Sequence, residues 1–369
     1  MRSLLALDLP LGPELEREIR RCVDDGEAFC VLDQRLSPRR RAEELSQLGA
    51  TSMLDTSGRH ERPEGQMVDD EIGLVILTSG SSGAPKAAEL SWGALQASAE
   101  ITQATLRSNT PPVWFPCLPA NHIGGLAVIL RAIFSDASLL WAEVDELPRA
   151  PERGATHVSL VRTQLARYDV SSYYRVLLGG ARPPQELPAN VVTTWGMTET
   201  GSGIVYDGYA LPGIELITVE GQLCVRSPTL FRSYRHAARP SIFGPDGRDD
   251  WFPTGDAGEL LNGRVSVRGR LGYVINTGGE KLWPEDLETV VSGIDGVLDV
   301  AVTGVDDPEW GQRVVALVVS NGQKLDDAIR EEANERLGPW AKPKEIRYVV
   351  AIPRTSNGKI RRVDLPNLY

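Results

Sequence analysis

The stretch that decides the fold is Thr78-Ser79-Gly80-Ser81-Ser82-Gly83-Ala84-Pro85-Lys86, which follows an apolar run at residues 72–77. It predicts a buried strand that ends in a loop rich in glycine and hydroxyl side chains. Glycine lets the backbone bring its N–H groups close to an anion, while the hydroxyls and Lys86 add donors and charge. The segment therefore predicts a loop that grips phosphate. It differs from the loop of kinases and GTPases, because only two residues separate Gly80 from Gly83 and alanine follows Lys86.

A loop of this composition is more often an ordinary surface turn, but further motifs follow it in a definite order. They are Trp195-Gly196-Met197-Thr198-Glu199-Thr200, Thr254-Gly255-Asp256, Gly269-Arg270, Thr277-Gly278-Gly279-Glu280-Lys281 and Pro353-Arg354-Thr355-Ser356-Asn357-Gly358-Lys359. This ordered set resembles the acyl-adenylate-forming superfamily, which includes acyl-CoA synthetases, adenylation domains of peptide synthetases and luciferases. Each motif alone is weak, and it is their common order that makes the resemblance specific.

The composition is that of an ordinary soluble globular protein, with 369 residues of which 41% are hydrophobic and 24% charged. A net charge of −11 argues against nucleic acid as a partner. No apolar run is long enough to cross a bilayer, and Asp8 interrupts the short apolar start, so neither membrane insertion nor export is expected. Four scattered cysteines without metal-ligand spacing predict reduced core thiols and a cytoplasmic protein.

The predicted elements indicate an α/β fold in two parts. Helices and short apolar strands alternate before the phosphate loop, as in a layered parallel sheet. We predict a large N-terminal domain, residues 1–269, of layered α/β subdomains plus a β-rich subdomain. Residues 270–369 are predicted to form a small, mobile α+β lid domain. Relatives usually carry the phosphate loop further from the start, so the N-terminal region is expected to be shortened.

The resemblance implies a reaction in which ATP activates a carboxylic acid as an acyl-adenylate and pyrophosphate leaves. Negative charge gathers in the transition state, so the site needs positioned cations and a metal. Trp195 would stack on adenine, and Asp256 would accept hydrogen bonds from both ribose hydroxyls. The residues implied to bind ATP or AMP are Thr78, Ser79, Gly80, Ser81, Ser82, Gly83, Lys86, Gly179, Gly180, Ala181, Trp195, Gly196, Met197, Thr198, Asp256 and Arg270.

Three residues are implied to act in catalysis: Thr198 contacts phosphate, Glu199 holds Mg²⁺, and Lys359 bridges the carboxylate and the α-phosphate. A glutamate in this position also suits a helix N-terminus, and a Gly-Lys pair near a chain end is often a solvated turn. The ordered motifs favour the functional roles. Seven basic residues and one acidic residue between positions 342 and 362 also favour a lid that approaches phosphate.

The second half-reaction requires a thiol, which makes coenzyme A a co-substrate beside ATP and Mg²⁺. In relatives the C-terminal domain turns about a hinge and presents the loop that here contains Gly278, Gly279, Glu280 and Lys281 to a pantetheine channel. Relatives carry an acidic pair at the hinge, where this chain has Gly272-Tyr273. Glycine permits hinging, but the usual hinge contacts are absent, so the preferred domain pose stays open.

Five motifs most resemble the o-succinylbenzoate–CoA ligase family of menaquinone biosynthesis. They are His122-Ile123-Gly124-Gly125-Leu126 and residues 157–165, 177–181, 195–200 and 307–313, and the first two are implied to line the acyl pocket. The resemblance implies an acyl pocket lined by His122, Gly124, Gly125, Ser159, Thr163 and Gln164. The paired glycines predict space for an aromatic ring, and the polar side chains could meet a carboxylate or ketone. Arg162 replaces a common proline and is a candidate partner for a carboxylate that survives activation.

Other functions stay open at this point. The chemistry is shared by other aryl- or fatty-acyl-CoA synthetases and by stand-alone adenylation domains that load a carrier protein. A non-catalytic AMP- or ATP-binding module is an alternative of a different class, although Glu199, Asp256 and Lys359 are all present. The expected partners are small molecules, namely the acid, ATP and CoA, and the resemblance leaves a homodimer open.

Overall fold

The structure, a computed structural model, describes residues 1–78, 85–106, 108–184, 186–355 and 358–368. Six residues of the predicted phosphate loop lie outside these ranges: Ser79, Gly80, Ser81, Ser82, Gly83 and Ala84. Contacts divide the chain into two units. Unit 1 comprises Met1–Leu216, Val225–Phe252 and Asn262–Arg264, and unit 2 comprises Ile217–Cys224, Pro253–Leu261 and Val265–Tyr369.

Most of the helices and strands before residue 271 belong to unit 1. In chain order they are β1 (Leu4–Leu7), α1 (Pro13–Asp25), β2 (Ala28–Val31), α2 (Pro38–Leu48), β3 (Ser52–Asp55), β4 (Gly58–Glu61), β5 (Ile72–Thr78), β6 (Lys86–Ser91), α3 (Trp92–Thr105), β7 (Val113–Phe115), α4 (Ile123–Phe134), β8 (Ser138–Leu139), β9 (His157–Val161), α5 (Arg162–Arg167), β10 (Arg175–Gly179), β11 (Val191–Met197), β12 (Ser202–Tyr206), β13 (Tyr209–Ala210), β14 (Glu215–Val219), β15 (Gln222–Arg226), β16 (Ser233–Tyr234), β17 (Ala237–Ala238), β18 (Ile242–Phe243), β19 (Asp249–Leu261) and β20 (Arg264–Arg270).

The first sheet of unit 1 has the order β17-β16-β6-β5-β2-β1-β3-β4. The apolar start of the chain forms β1, which is fully buried and pairs in parallel with both β2 and β3. Both flanking helices, α1 and α2, start with a proline in the first turn. The Ser37 hydroxyl caps α2 by accepting a hydrogen bond from the Arg40 N–H at 3.4 Å. The predicted layered α/β opening is confirmed.

The second sheet contains the run β8-β7-β9-β10-β11, in which every neighbouring pair is parallel. The strand β12 then pairs with β11 in the antiparallel direction. Buried Phe115, Leu160, Val176 and Leu178 belong to one hydrophobic cluster on this sheet. Because the strands are parallel, their carboxyl ends lie along a single edge.

The predicted β-rich subdomain contains β14, β15, β19 and β20 in that order within the sheet. The strands β14 and β15 are joined by a tight turn at Glu220 and Gly221, which both adopt positive φ. The division between the units falls inside all four of these strands, β14, β15, β19 and β20. The domain boundary at residue 269 stays a prediction.

Unit 2 ends in a compact α+β fold made of β21 (Ile275–Thr277), β22 (Glu280–Leu282), α6 (Pro284–Ser292), β23 (Val297–Asp307), β24 (Gly311–Ser320), α7 (Asp326–Arg336) and β25 (Glu345–Tyr348). Its sheet has the order β22-β21-β24-β23, with β25 parallel to β24. Leu287 and Ile329 from the two helices share a core with Val302 and Val318 from the strands. The predicted fold class is confirmed.

Two predictions from composition can be compared with this fold. All four cysteines are buried and carry free thiols. None of the helices in the described part of the chain has the length and apolar character needed to cross a bilayer.

Candidate functional site

Most of the predicted site residues of unit 1 outside the phosphate loop lie at or near the ends of four parallel strands. His122 lies in the segment that follows β7. Arg162, Gly180 and Thr198 are the first residues after β9, β10 and β11. These strands are neighbours in the order β7-β9-β10-β11. The four segments therefore share the carboxyl edge of the sheet, which is where open α/β sheets bind their ligands. Motifs that lie about 75 residues apart in sequence are brought to the same edge.

The Trp195 motif forms the end of β11 and the turn that follows it. Trp195, Gly196 and Met197 are the last residues of the strand, and Thr198–Thr200 form a single 3-10 turn. The Met197 N–H donates a hydrogen bond to the Thr200 hydroxyl at 2.9 Å, which fixes the turn. Trp195 is half-buried, so part of its ring is accessible for stacking on a base.

Gly179, Gly180 and Ala181 continue from β10 beside this motif. Leu178 lies opposite Thr193 in the parallel register, which sets the end of β10 next to β11. Gly180 and Ala181 are exposed. The edge beside Trp195 is therefore lined by backbone and a single methyl group, which suits the close approach of a nucleotide.

Glu199 is held at two points by one neighbouring segment. The Tyr234 hydroxyl donates a hydrogen bond to Glu199 Oε1 at 2.9 Å. The Phe231 N–H donates to the main-chain oxygen of Glu199 at 2.8 Å. Sequence reasoning missed Tyr234, which is 35 residues away in the chain and belongs to no motif that we identified. Only the packing of β16 beside β6 reveals it.

The described ends of the phosphate loop lie beside the same tyrosine. Thr78 and Lys86 are paired opposite each other where β5 and β6 meet the loop. The Lys86 Nζ atom lies 5.0 Å from the centre of the Tyr234 ring, within the range of a cation–π interaction. Lys86, Tyr234 and Glu199 thus form a continuous chain of contacts from the loop to the predicted metal ligand.

The residues present fit a magnesium ion that arrives with the phosphates of ATP. Mg²⁺ commonly uses one or two protein carboxylates together with substrate phosphate oxygens and water. Glu199 supplies a single carboxylate with one oxygen bonded to Tyr234. Within the described ranges no three acidic, histidine or cysteine side chains form a metal-binding group. The single carboxylate therefore suits an ion that is bound mainly by phosphate oxygens and water.

In unit 2, Asp256 and Arg270 form the predicted ribose pair. Asp256 is 7% exposed, and its Oδ1 lies 2.9 Å from Arg270 Nε. Arg270 Nη1 also donates to the Thr254 main-chain oxygen at 2.7 Å. Asp256 N–H donates to the Thr254 hydroxyl at 3.1 Å. The carboxylate is thus oriented by an arginine that also binds the main chain of Thr254 in the same motif.

We expect Asp256→Ala to weaken ATP binding by roughly 1.5–3 kcal/mol, or about 10- to 150-fold in Kd, because a charged hydrogen-bond acceptor is lost. Calorimetric titration with ATP and Mg²⁺ measures the effect. The control is Glu259→Ala, which removes the partner of Arg268 from the same two strands and should leave Kd unchanged. An Asp256→Ala protein that is folded and binds ATP with wild-type affinity contradicts the ribose assignment.

Hydrogen bonds join Lys359 and Gly358 to Thr355 and Arg354, whereas Ser356 and Asn357 of the same motif lie outside the described residues. The Lys359 N–H donates to the Thr355 hydroxyl at 3.1 Å, and the Thr355 N–H donates to the Lys359 main-chain oxygen at 2.7 Å. Arg354 donates to the Gly358 oxygen at 2.7 Å and forms an ion pair with Asp299 on β23 at 2.6 Å. The Lys359 side chain is exposed. The backbone is fixed, therefore, while the ammonium group can reach a substrate.

The predicted CoA-binding residues form the hairpin between β21 and β22. Gly278 and Gly279 occupy its turn with φ of 60° and 87°, values that favour glycine. Gly278 N–H donates to the Trp310 main-chain oxygen at 2.9 Å. Gly278, Gly279, Glu280 and Lys281 are all exposed. The hairpin therefore presents the backbone of its two glycines, the Glu280 carboxylate and the Lys281 ammonium group to solvent.

The predicted acyl-pocket residues are spread along the ends of β7 and β9. His122 precedes the first residue of α4 and is half-buried. A side chain at Gly125 would collide with the main-chain oxygen of Pro119, so this glycine serves close packing, whereas Gly124 is exposed. Ser159 is buried inside β9. The three residues that follow β9 differ: Arg162 and Thr163 are exposed, whereas Gln164 Oε1 accepts a hydrogen bond from the Val161 N–H at 3.2 Å.

A buried arginine that sequence reasoning missed lies beside Ser159. Arg131 on α4 is 3% exposed, and its Nη1 donates to Ser159 Oγ at 3.4 Å. Its guanidinium lies 4.7 Å from the Trp114 ring centre. Burial lowers the pKa of Arg131, and no described carboxylate offsets its charge. The only signal in the sequence is one charged residue within the apolar helix Ile123–Phe134.

Comparisons with known proteins agree on one family. The chain is 35% identical over 332 residues to the probable 2-succinylbenzoate–CoA ligase of Mycobacterium tuberculosis (strain CDC 1551 / Oshkosh), covering 82% of this chain and 85% of that protein. The fold matches o-succinylbenzoate CoA synthetase from Bacillus subtilis in complex with its acyl-adenylate intermediate, with a TM-score of 0.85, 24% identity and coverage of 98% and 88%. The same enzyme with ATP and magnesium ion matches with a TM-score of 0.85, 24% identity and coverage of 99% and 89%.

Two family models match this chain in sequence order. The model of the AMP-binding enzyme matches residues 8–235, and the model of the AMP-binding enzyme C-terminal domain matches residues 286–359. The first match alone covers more than half of the chain, and it spans the phosphate loop, Glu199 and Tyr234. The second match ends at Lys359. The chain belongs to the family of AMP-binding enzymes.

Proposed function

We propose that this protein is an AMP-forming acid–CoA ligase that converts o-succinylbenzoate into o-succinylbenzoyl-CoA through an acyl-adenylate. The Mycobacterium tuberculosis relative carries the name of this activity, and the Bacillus subtilis structures contain the acyl-adenylate in one case and ATP with magnesium in another. ATP and CoA are substrates and Mg²⁺ is the cofactor. The reaction takes place where both ATP and CoA are abundant, so we propose a cytoplasmic location.

The main support for o-succinylbenzoate as the acid is that Arg131 is buried. An arginine has five N–H donors and stays charged, so burying it without a carboxylate is costly. Its Nε and the neighbouring Trp114 Nε1 are buried and have no hydrogen-bond partner among the described residues. These donors suit an anion that enters with the substrate. o-Succinylbenzoate has two carboxylates, and one of them survives activation as an anion.

The position of Arg131 fits a long, dicarboxylic substrate. Ser159, its hydrogen-bond partner, is two residues before the end of β9, so it lies about 7 Å below the sheet edge at roughly 3.3 Å per residue. An acid that reacts at the edge would therefore need a second acidic group some distance from the first. Acetate, benzoate and a medium-chain fatty acid all lack this group, whereas o-succinylbenzoate places a ring and a ketone between its two carboxylates.

The remaining residues are proposed to work on the nucleotide. Trp195 stacks on adenine beside the Gly179-Gly180-Ala181 segment, and Asp256 receives the ribose hydroxyls. Thr198 and Lys86 contact phosphate. Glu199 holds Mg²⁺, which when bound offsets the charge of the phosphates. Lys359 meets the carboxylate and the α-phosphate during adenylation, and the hairpin of Gly278 and Lys281 serves the CoA step.

Pyrophosphate release with four acids tests this proposal. At fixed ATP, Mg²⁺ and CoA we expect kcat/KM for o-succinylbenzoate to exceed that for benzoate, acetate or a medium-chain fatty acid by about 100-fold or more, because a site built for a polar group rejects acids that lack it. A preference for one of the other acids overturns o-succinylbenzoate as the substrate but does not contradict the AMP-forming ligase chemistry. No pyrophosphate with any acid favours a non-catalytic nucleotide-binding module. Pyrophosphate release without acyl-CoA formation favours transfer to a carrier protein.

A further inference from the structure

Tyr234 connects two parts of the nucleotide site that are far apart in sequence. It lies on the short strand β16, which pairs with β6 so that Tyr234 is opposite Ala88. Lys86 is two residues before Ala88 on β6, and side chains two residues apart on a strand point to the same face. Tyr234 is therefore a diagonal neighbour of Lys86 across the strand pair, at the base of the phosphate loop.

The hydroxyl group of Tyr234 is hydrogen-bonded to Glu199. The phenolic hydroxyl is the donor of the 2.9 Å hydrogen bond to Glu199 Oε1, because an ionised carboxylate can only accept. Phe231 packs its ring 4.8 Å from the Tyr234 ring and is itself fully buried. Its N–H also holds the Glu199 main-chain oxygen. The phenol therefore has a rigid support on one side and the carboxylate on the other.

We propose that Tyr234 is a positioning residue for metal-bound ATP: its hydroxyl orients the Glu199 carboxylate, and its ring holds Lys86 beside the phosphates. This inference rests on the proposed function and deepens it. One side chain then sets the relative placement of a cation from the loop and the carboxylate that receives the metal.

The energetic reason is the strict geometry of magnesium coordination. Mg²⁺ demands a near-octahedral set of oxygens at about 2.0–2.1 Å, so a freely rotating carboxylate binds it less well than a fixed one. A hydrogen bond to Oε1 fixes the carboxylate and leaves Oε2 for the ion. Outer partners of this kind typically change metal affinity or activity by about 10- to 100-fold when removed.

The test measures binding rather than turnover. Manganese(II) replaces Mg²⁺, and α,β-methylene-ATP replaces ATP so that no adenylate can form. Electron paramagnetic resonance of free Mn²⁺ then gives the Kd of the ion for the enzyme–nucleotide complex. We expect Tyr234→Phe to raise this Kd about 10- to 100-fold. Tyr173→Phe is the matched control, because it removes a hydroxyl that donates to Leu147 O at 2.8 Å elsewhere in unit 1, and its Kd should equal that of the wild type.

Two further measurements separate the hydroxyl from the ring. In EDTA, without metal, Tyr234→Phe should bind the nucleotide as the wild type does. Tyr234→Leu, which removes the ring beneath Lys86, should bind it about two- to fivefold more weakly, the value of an exposed cation–π contact. Equal affinities of the two variants in EDTA overturn the role of the ring.

A double-mutant cycle tests whether the hydroxyl acts through Glu199. In a Glu199→Gln background, Tyr234→Phe should change the Mn²⁺ Kd by less than about twofold, because the coupled partner is already altered. An undiminished effect there, or an unchanged Kd in Tyr234→Phe alone, overturns the positioning role. Wild-type protein that binds the nucleotide without any Mn²⁺ dependence overturns this inference together with the proposed function. Circular dichroism at matched temperature confirms that each variant is folded.

Discussion

Replacing Lys359 with alanine is expected to slow acyl-adenylate formation about 100- to 1,000-fold, because a preorganised charge that stabilises the transition state is lost. Thioester formation from supplied acyl-adenylate should stay close to the wild-type rate. The difference arises because the carboxylate attacks the α-phosphate, with both groups bearing negative charge, only during the first half-reaction. In the second half-reaction the phosphate leaves as AMP, and the thiol attacks a carbonyl carbon.

The contacts around Lys359 indicate that the alanine substitution should not disturb its main chain. Its backbone is fixed by Thr355 and by the Arg354–Asp299 ion pair, none of which uses the Lys359 side chain. Lys324→Ala removes another exposed lysine of unit 2 and serves as the control for charge alone. The two half-reactions are measured separately, by pyrophosphate release without CoA and by CoA thioester formation from synthetic acyl-adenylate. An equal loss in both half-reactions contradicts the assigned role.

Replacing Arg131 with methionine is expected to lower kcat/KM for o-succinylbenzoate by about 30-fold to several thousandfold, since breaking a buried, hydrogen-bonded charge pair costs roughly 2–5 kcal/mol. The same change should not harm a substrate that lacks the second carboxylate. We would use 4-oxo-4-phenylbutanoate, which keeps the ring, the ketone and one carboxylate. Methionine approximates the volume and flexibility of the arginine stem and removes the unpaired charge, so the folded protein should not be less stable.

Arg162→Met provides the matched control for Arg131→Met. Arg162 is exposed at the start of α5, although its sequence position made it a candidate for the same carboxylate. The Arg162→Met substitution should therefore change kcat/KM little for either acid. The assignment of Arg131 fails if Arg131→Met lowers activity equally for the dicarboxylic and monocarboxylic acids. Loss of o-succinylbenzoate activity in Arg162→Met instead would transfer the role to that residue.

Much of the fold follows from local patterns. The alternation of helices with short apolar strands, the apolar run before the phosphate loop and the change to an α+β pattern after residue 270 predicted elements that agree with the structure. The apolar start was harder to interpret, because four apolar residues suit a targeting segment as well as a strand. It became β1 because residues 4–7 are covered on both faces of the sheet, as is common for parallel strands.

The candidate site was less predictable where it depends on packing between distant elements. Arg131 looks like a surface arginine in sequence, and only the burial of α4 against β9 makes its charge costly. Tyr234 contacts Glu199 because β16 joins the edge of the first sheet, and no spacing rule contains that pairing. The twin glycines predicted room for a ring, yet the backbone of Pro119 occupies the space at Gly125. Composition gives the kind of residue, whereas tertiary packing decides which group faces the ligand.

The central claim is that this chain activates o-succinylbenzoate as an adenylate before thiol attack, and a single-turnover experiment tests it most directly. Stoichiometric enzyme is mixed with o-succinylbenzoate, ATP and Mg²⁺ without CoA, quenched with acid and examined by mass spectrometry. The account predicts o-succinylbenzoyl-AMP and pyrophosphate in equal amounts, followed by conversion to o-succinylbenzoyl-CoA and AMP when CoA is added. Formation of ADP and phosphate, or of no adenylate while another acid is activated under the same conditions, would contradict it.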